Sequence, residues 1–242
     1  MLVLAVHGSA APAAAATIGR LVTAIEARSG IRAAVGHLDV QRPSLADVVR
    51  DHPHAVVVPL LLGDGYHRRV DIPAVLDGTG CVLTEGLSGE PDIALALHSR
   101  LRDAERRHGP HARADAVVVA GAGSSRPGGN AGTADCAARL AALLEYDRGP
   151  GPEPVPVVPA YLTSAGPTVP EALAALRGAG HRRIAVAAHL LAPGRFTRTL
   201  AGLDAWTVSA PLADHPHLAR LVLARYKSAR GMRALRAARL AC

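Results

Sequence analysis

The sequence predicts an α/β protein of two tandem domains, each a parallel sheet with helices on both faces, related by an internal repeat. Three observations predict it. Short apolar runs alternate with helical patterns along the chain. The apolar runs are continuous, as in strands buried on both faces. Four segments recur in one order. AVHGSAAP at 5–12 returns as AGAGSSRP at 120–127, and HLDVQRPSLADVV at 37–49 as YLTSAGPTVPEAL at 161–173. HAVVVPLLLGDG at 54–65 returns as RIAVAAHLLAPG at 183–194, and GLSGEPDIALAL at 86–97 as PLADHPHLARLV at 211–222. The offsets are 115, 124, 129 and 125 residues, so only small insertions separate the matches.

The elements follow from local pattern. LVLAV at 2–6 is a buried strand. Residues 13–28 carry a helical pattern with Ile18, Leu21, Val22 and Ile25 on the apolar side. A strand is expected at 32–40, then a helix starting near Ser44, whose hydroxyl suits an N-cap. AVVVPLLL at 55–62 is the most apolar strand; a short helix near 72–77, a strand near 81–84 and a helix at 91–107 close the half. The second half repeats the order: strand 116–120, helix 128–145, strand 155–162, helix 168–178, strands 183–191 and 205–208, helix 214–227. DRGPGPEPVP at 147–156 reads as a loop. The expected division is 1–112 and 113–227, joined near 106–115, with a basic tail at 228–242.

Composition narrows the function. A chain of 242 residues that is 49% apolar can bury a large core, and with only 2% aromatic residues it builds that core from Ala, Val and Leu. The net charge of +7 attracts nucleic acid, anionic membrane or an anionic small molecule. No zinc-finger spacing, aromatic RNA-binding strand or Lys-rich arm points to nucleic acid. Arg far outnumbers Lys, which suits clamping of carboxylate or phosphate and equally fits a general Arg-rich composition. Cys81, Cys136 and Cys242 lie far apart, so no zinc, iron–sulfur or disulfide framework is expected. The start, MLVLAVHGS, reads as a buried strand rather than a signal peptide, and no apolar stretch spans a membrane. A cytoplasmic protein is the expectation.

Candidate chemistry lies beyond the carboxyl ends of the strands, where parallel sheets bind ligands. His7 follows the first strand and His67 follows the 55–62 strand, each beside glycines (Gly8, Gly63, Gly65) that let a bulky ligand approach. An imidazole there can bind a divalent ion or accept a proton. The histidines at 37, 52, 54, 98, 108, 111, 181, 215 and 217 read as solvated. Neither GDG nor GAGSSRPGGN matches a phosphate-binding loop. Ser9 lacks a nucleophile elbow and is expected to bond backbone at a helix start.

VHGS at 6–9, Asp39 closing the second strand, PSL at 43–45 and VVVPLLLGDGYHRRVDIP at 56–73 together resemble the sirohydrochlorin chelatases, ATP-independent class II tetrapyrrole chelatases. The resemblance is clear over the first half and extends to the second through the repeat. It implies a lyase of cobalamin or siroheme biosynthesis that inserts Co²⁺ or Fe²⁺ into sirohydrochlorin, with no cofactor beyond the substrate metal. The partners implied are the anionic tetrapyrrole and the metal, with no nucleic acid or membrane, in a monomer or homodimer. His7 and His67 would contact metal and macrocycle. Asp39 stands where the family often carries Glu; a role in proton or metal handling and a structural role both stay open.

The second copy departs from the pattern, with Ala122 in place of the first His and Phe196 at or beside the second. One site, built mainly by the first half, is therefore expected, with the second half walling the cleft and supplying basic residues. Ser9, Asp39, Gly63, Gly65, Tyr66, His189 and the arginines Arg68, Arg69, Arg195 and Arg198 are its expected substrate contacts. The arginines would pair with the carboxylates of sirohydrochlorin. His189 is either an auxiliary ligand or structural. The alternative to an enzyme is a metal or tetrapyrrole carrier.

Overall fold

A computed structural model describes residues 1–39, 41–63, 67–149 and 154–240, without the side chains of residues 67–68 and 234–240. In the first half, β1 (Leu2–Val6), β2 (Ala33–His37), β3 (Val56–Leu60) and β4 (Val82–Leu83) form a parallel sheet in the order β2-β1-β3-β4. In the second, β5 (Ala116–Gly121), β6 (Val157–Tyr161), β7 (Ile184–His189) and β8 (Thr207–Val208) form a parallel sheet in the order β6-β5-β7-β8. The repeat read from sequence is thus a repeat of topology, with helices on both faces of each sheet.

Side-chain alternation assigns the faces. Val3, Ala5 and Val57 point outward onto α2 (Leu45–Asp51) and α3 (Ile72–Leu76). Val118, Ala120 and Val186 point outward onto α6 (Val169–Gly178) and α7 (Arg195–Ala201). Leu2, Leu4, Val58, Val117, Val119 and Ala187 face inward and share one core. Ser44 caps α2 by accepting a 3.1 Å bond from the Asp47 amide, and Thr168 caps α6 through Glu171 in the same way. The Ser44 cap was legible from the sequence.

Between the sheets lie four helices: α1 (Pro12–Ser29), α4 (Pro91–Arg106), α5 (Ala131–Arg148) and α8 (Pro216–Leu240). The last helix of each half covers the sheet of the other. α4 packs on β7 and β8, and α8 packs on β3. Hydrogen bonds fix the exchange: Thr207 Oγ1 donates to the Ala104 carbonyl, Arg107 to the Val208 carbonyl, and Arg225 to the Gly86 carbonyl. Asp214 ties α1 to α4 by accepting from both Arg20 and Arg100.

Two expectations change. The segment read as a separate basic tail, 228–242, continues α8 through Leu240; Ala229 is buried and Arg233 donates to the His54 carbonyl. Helix α7, which the expected element order does not name, follows β7, and its Thr197 hydroxyl accepts from the Gly194 amide and donates to the Gly194 carbonyl. Helix α7 buries only Leu200 completely, so its periodic signal is faint.

Candidate functional site

The carboxyl ends of β1, β3, β5 and β7 converge on one cavity of about 840 Å³, within the usual range for a small-molecule site. Both halves line it. His7, Ser9, Gly63, His189 and Arg195 were expected from sequence and do line it. Asp39, Arg69 and Arg198 are exposed and lie outside the lining, and Arg195 is the one arginine among the described residues that lines the cavity. Gly65, Tyr66 and the side chains of His67 and Arg68 lie outside the described residues. The backbone of His67 opens a π-helical turn, His67–Asp71, that leads into α3.

His7 is exposed at the first position after β1. Its carbonyl accepts from the Asp39 amide at 3.0 Å, which extends the β1–β2 ladder and places Asp39 beside it along the chain. Gly8 makes this approach possible. Its φ is +99°, and a Cβ there would stand 2.2 Å from the Asp39 carbonyl oxygen. Gly8→Ala is therefore expected to destabilise the protein by about 1–3 kcal/mol and to displace His7. A denaturant midpoint equal to wild type would refute that. Ser9 is held at both ends: its amide donates to Gln41 Oε1 at 3.0 Å, and its hydroxyl accepts from the Ala11 amide at 3.3 Å. The second contact is the helix-start role expected for Ser9.

The second copy has the same backbone and different chemistry. The Ala122 carbonyl accepts from the Thr163 amide at 2.9 Å, as His7 does from Asp39. Gly123, at φ +93°, sits against Thr163 as Gly8 sits against Asp39. So His7 and Asp39 in one half become Ala122 and Thr163 in the other. Phe196 packs against the outer core of the second half and lines the cavity.

Two further histidines face the cavity. His189 ends β7, is 3% exposed, and has its Nδ1 3.2 Å from the Thr133 hydroxyl. Burial pushes its pKa down to about 4, so the ring is neutral at physiological pH. His37 ends β2 and also lines the cavity, although its sequence context read as solvated. Burial lowers its pKa too, and its Nδ1 is sealed without a hydrogen-bond partner. His37 ends β2 two residues before Asp39, whose amide extends the ladder, and nothing in the sequence marks which way its ring faces. Among the described residues, no three His, Cys, Asp or Glu side chains form a closed metal shell, and no Asp or Glu lines the cavity.

A duplicated parallel α/β protein with a cavity between facing strand edges, lined by both halves, is the class these features define. The CbiX family model matches residues 1–104 and 116–229, and the chain belongs to the CbiX family. Its fold is similar to SirB from Bacillus subtilis with Fe³⁺, at 21% identity, 94% coverage of both chains and a TM-score of 0.71. It is also similar to the sirohydrochlorin chelatase SirB from Bacillus subtilis subspecies spizizenii in complex with cobalt, at 20% identity, 94% coverage of both chains and a TM-score of 0.68. A third similar structure is CbiX, the terminal enzyme for biosynthesis of siroheme in denitrifying bacteria, at 16% identity, TM-score 0.64, covering 94% of this chain and 98% of that one. No curated protein matched the chain in sequence. No described helix is long and apolar enough to cross a membrane.

Proposed function

We propose that this protein inserts a divalent metal, Co²⁺ or Fe²⁺, into sirohydrochlorin without ATP, on the route to cobalamin or siroheme. The observation that carries the reading is the placement of His7, on the HGS motif of a CbiX-family chain, at the mouth of a cavity walled by both halves. The two similar SirB structures hold iron and cobalt, which supports a metal substrate here as well.

The residues suit the chemistry. Metal insertion forms four metal–nitrogen bonds and releases two pyrrole protons. The exposed imidazole of His7 can take a proton near neutral pH or hold the incoming ion loosely. His67 would supply a second nitrogen from the turn after β3. Two imidazoles leave coordination positions open, so the ion can move on to the macrocycle, whereas a closed shell of four would trap it. Asp39, whose amide bonds the His7 carbonyl, would be the carboxylate that assists. Ser9, Gly63 and Arg195, which line the cavity, would contact the macrocycle, and Gly65, Tyr66, Arg68, Arg69 and Arg198 are its further expected contacts from the sequence. The apolar floor accepts the ring, and the carboxylates reach the rim.

The test is a visible-absorption assay of sirohydrochlorin with Co²⁺ and, separately, Fe²⁺ under anaerobic conditions. Conversion faster than the spontaneous reaction is expected. Stoichiometric binding with no acceleration would replace the enzyme reading with a carrier.

A further inference from the structure

His37 has no role in the chemistry above, yet its surroundings are specific. The register pairs it with Val6, so both point to the inner face of the first sheet. Val35, two residues earlier, packs against the same inner core. Gly36, between them, faces the other way: a Cβ there would stand 2.8 Å from Leu45 Cα in α2. The His37 ring therefore projects between the halves and borders the cavity.

Its two nitrogens are unequal. Nδ1 is sealed from solvent and unpartnered, and Gly8 closes over it: a Cβ on Gly8 would stand 3.7 Å from that nitrogen. A proton on Nδ1 would be an N–H with no acceptor, which costs the full desolvation of the donor. The neutral ring therefore carries its proton on Nε2, the nitrogen left to the cavity. The repeat isolates the feature. Tyr161 holds the same place at the end of β6, in register with Gly121, and is buried without lining the cavity. Only the half that carries His7 has an imidazole here.

We propose that His37 is a substrate-contacting residue whose Nε2–H donates a hydrogen bond to a carboxylate of the acidic macrocycle, fixing how the ring is seated over His7. The proposal rests on the chelatase reading for the identity of the ligand. A donor to a carboxylate makes a charge-assisted bond, stronger than a neutral pair. It holds the substrate in ground and transition states alike, so it acts on KM rather than on kcat.

The experiment compares full-length wild type, His37→Phe and His37→Gln. Phe keeps the ring shape and removes both nitrogens; Gln restores a donor. The dissociation constant of a metal-free octacarboxylate porphyrin is measured by absorbance titration, and KM and kcat by the metallation assay. His37→Phe is expected to raise Kd and KM about tenfold with kcat within about twofold, and His37→Gln to recover most of the loss. An unchanged Kd in His37→Phe would overturn the proposal, as would a kcat loss at constant Kd. If His37→Phe does not fold, the Gln variant decides: Kd within about threefold of wild type supports a donor role, and a tenfold loss overturns it. A wild type that binds porphyrin but fails to metallate would defeat the chelatase reading while the Kd comparison still decides the role of His37.

Discussion

Replacing His7 with alanine is expected to reduce sirohydrochlorin metallation by about 10²-fold or more at neutral pH, and His67→Ala to do the same. The fold should survive the first change, because the protein already contains it. Ala122 occupies the matching position in the second half, with the same ladder bond, 2.9 Å against 3.0 Å at His7. His7 is also exposed, so removing its ring opens no void in the core. The loss should therefore appear in turnover and not in melting temperature. Initial rates at saturating Co²⁺, with His181→Ala as control, would check it. His181 lies 3.9 Å from Asp115, away from the cavity lining. A His7→Ala enzyme running at the wild-type rate would remove His7 from the reaction.

The residues legible in the sequence were those whose role is set by chain position. His7 and Ser9 come just after an apolar run, and a parallel strand delivers the residues at its carboxyl end to the ligand-binding edge of the sheet. His37 escaped because its importance depends on face, not position. Only the register with Val6 and the packing of Gly36 against Leu45 show that its ring turns inward. Arg69 and Arg198 sit near the right loops in sequence; their side chains are exposed and are not among the residues that line the cavity. Thr163 was visible at the offset that pairs Pro43 with Pro167, and it shows that the second copy has lost the acid as well as the first histidine.

The helix exchange was not legible at all. The apolar stripes of α4 and α8 say that each must cover a sheet, and periodicity is silent on which one. The segment between α4 and β5 leads the chain to the second sheet while α4 itself stays over β7 and β8. Buried Glu105, near the end of α4, secures this crossing. It accepts from the Ala114 amide at 2.9 Å and pairs with Arg102 at 2.6 Å. The exchange gives the halves one inner core, with a helix of each half packed on the sheet of the other.

Acidification from pH 6.5 to pH 4 is expected to destabilise the protein by about 3 kcal/mol through His189. Burial holds its pKa at about 4 in the folded chain, against 6.5 for the ordinary group. Between those values the unfolded chain binds a proton that the folded chain does not. Stability is thus fully present above pH 6.5 and is lost as the pH falls toward 4. His215, read from sequence as solvated, is buried with its pKa also at about 4, mainly through burial and the nearby charge of Arg100. Asp103 and Asp214 pull the other way without reversing the shift, so His215 adds a contribution of the same sign in the same window. Carboxylates such as Asp92 and Asp115 titrate below 3.8, so their contribution falls outside this window. Urea midpoints at pH 7, 6 and 5 would measure the slope. His189→Leu places at the end of β7 the residue that ends β3, Leu60. It loses the Thr133 contact and should be less stable at pH 7, yet its stability should fall less steeply with acid. A slope identical to wild type would mean that His189 takes up its proton in the folded protein as readily as in the unfolded chain, so that burial does not hold it neutral.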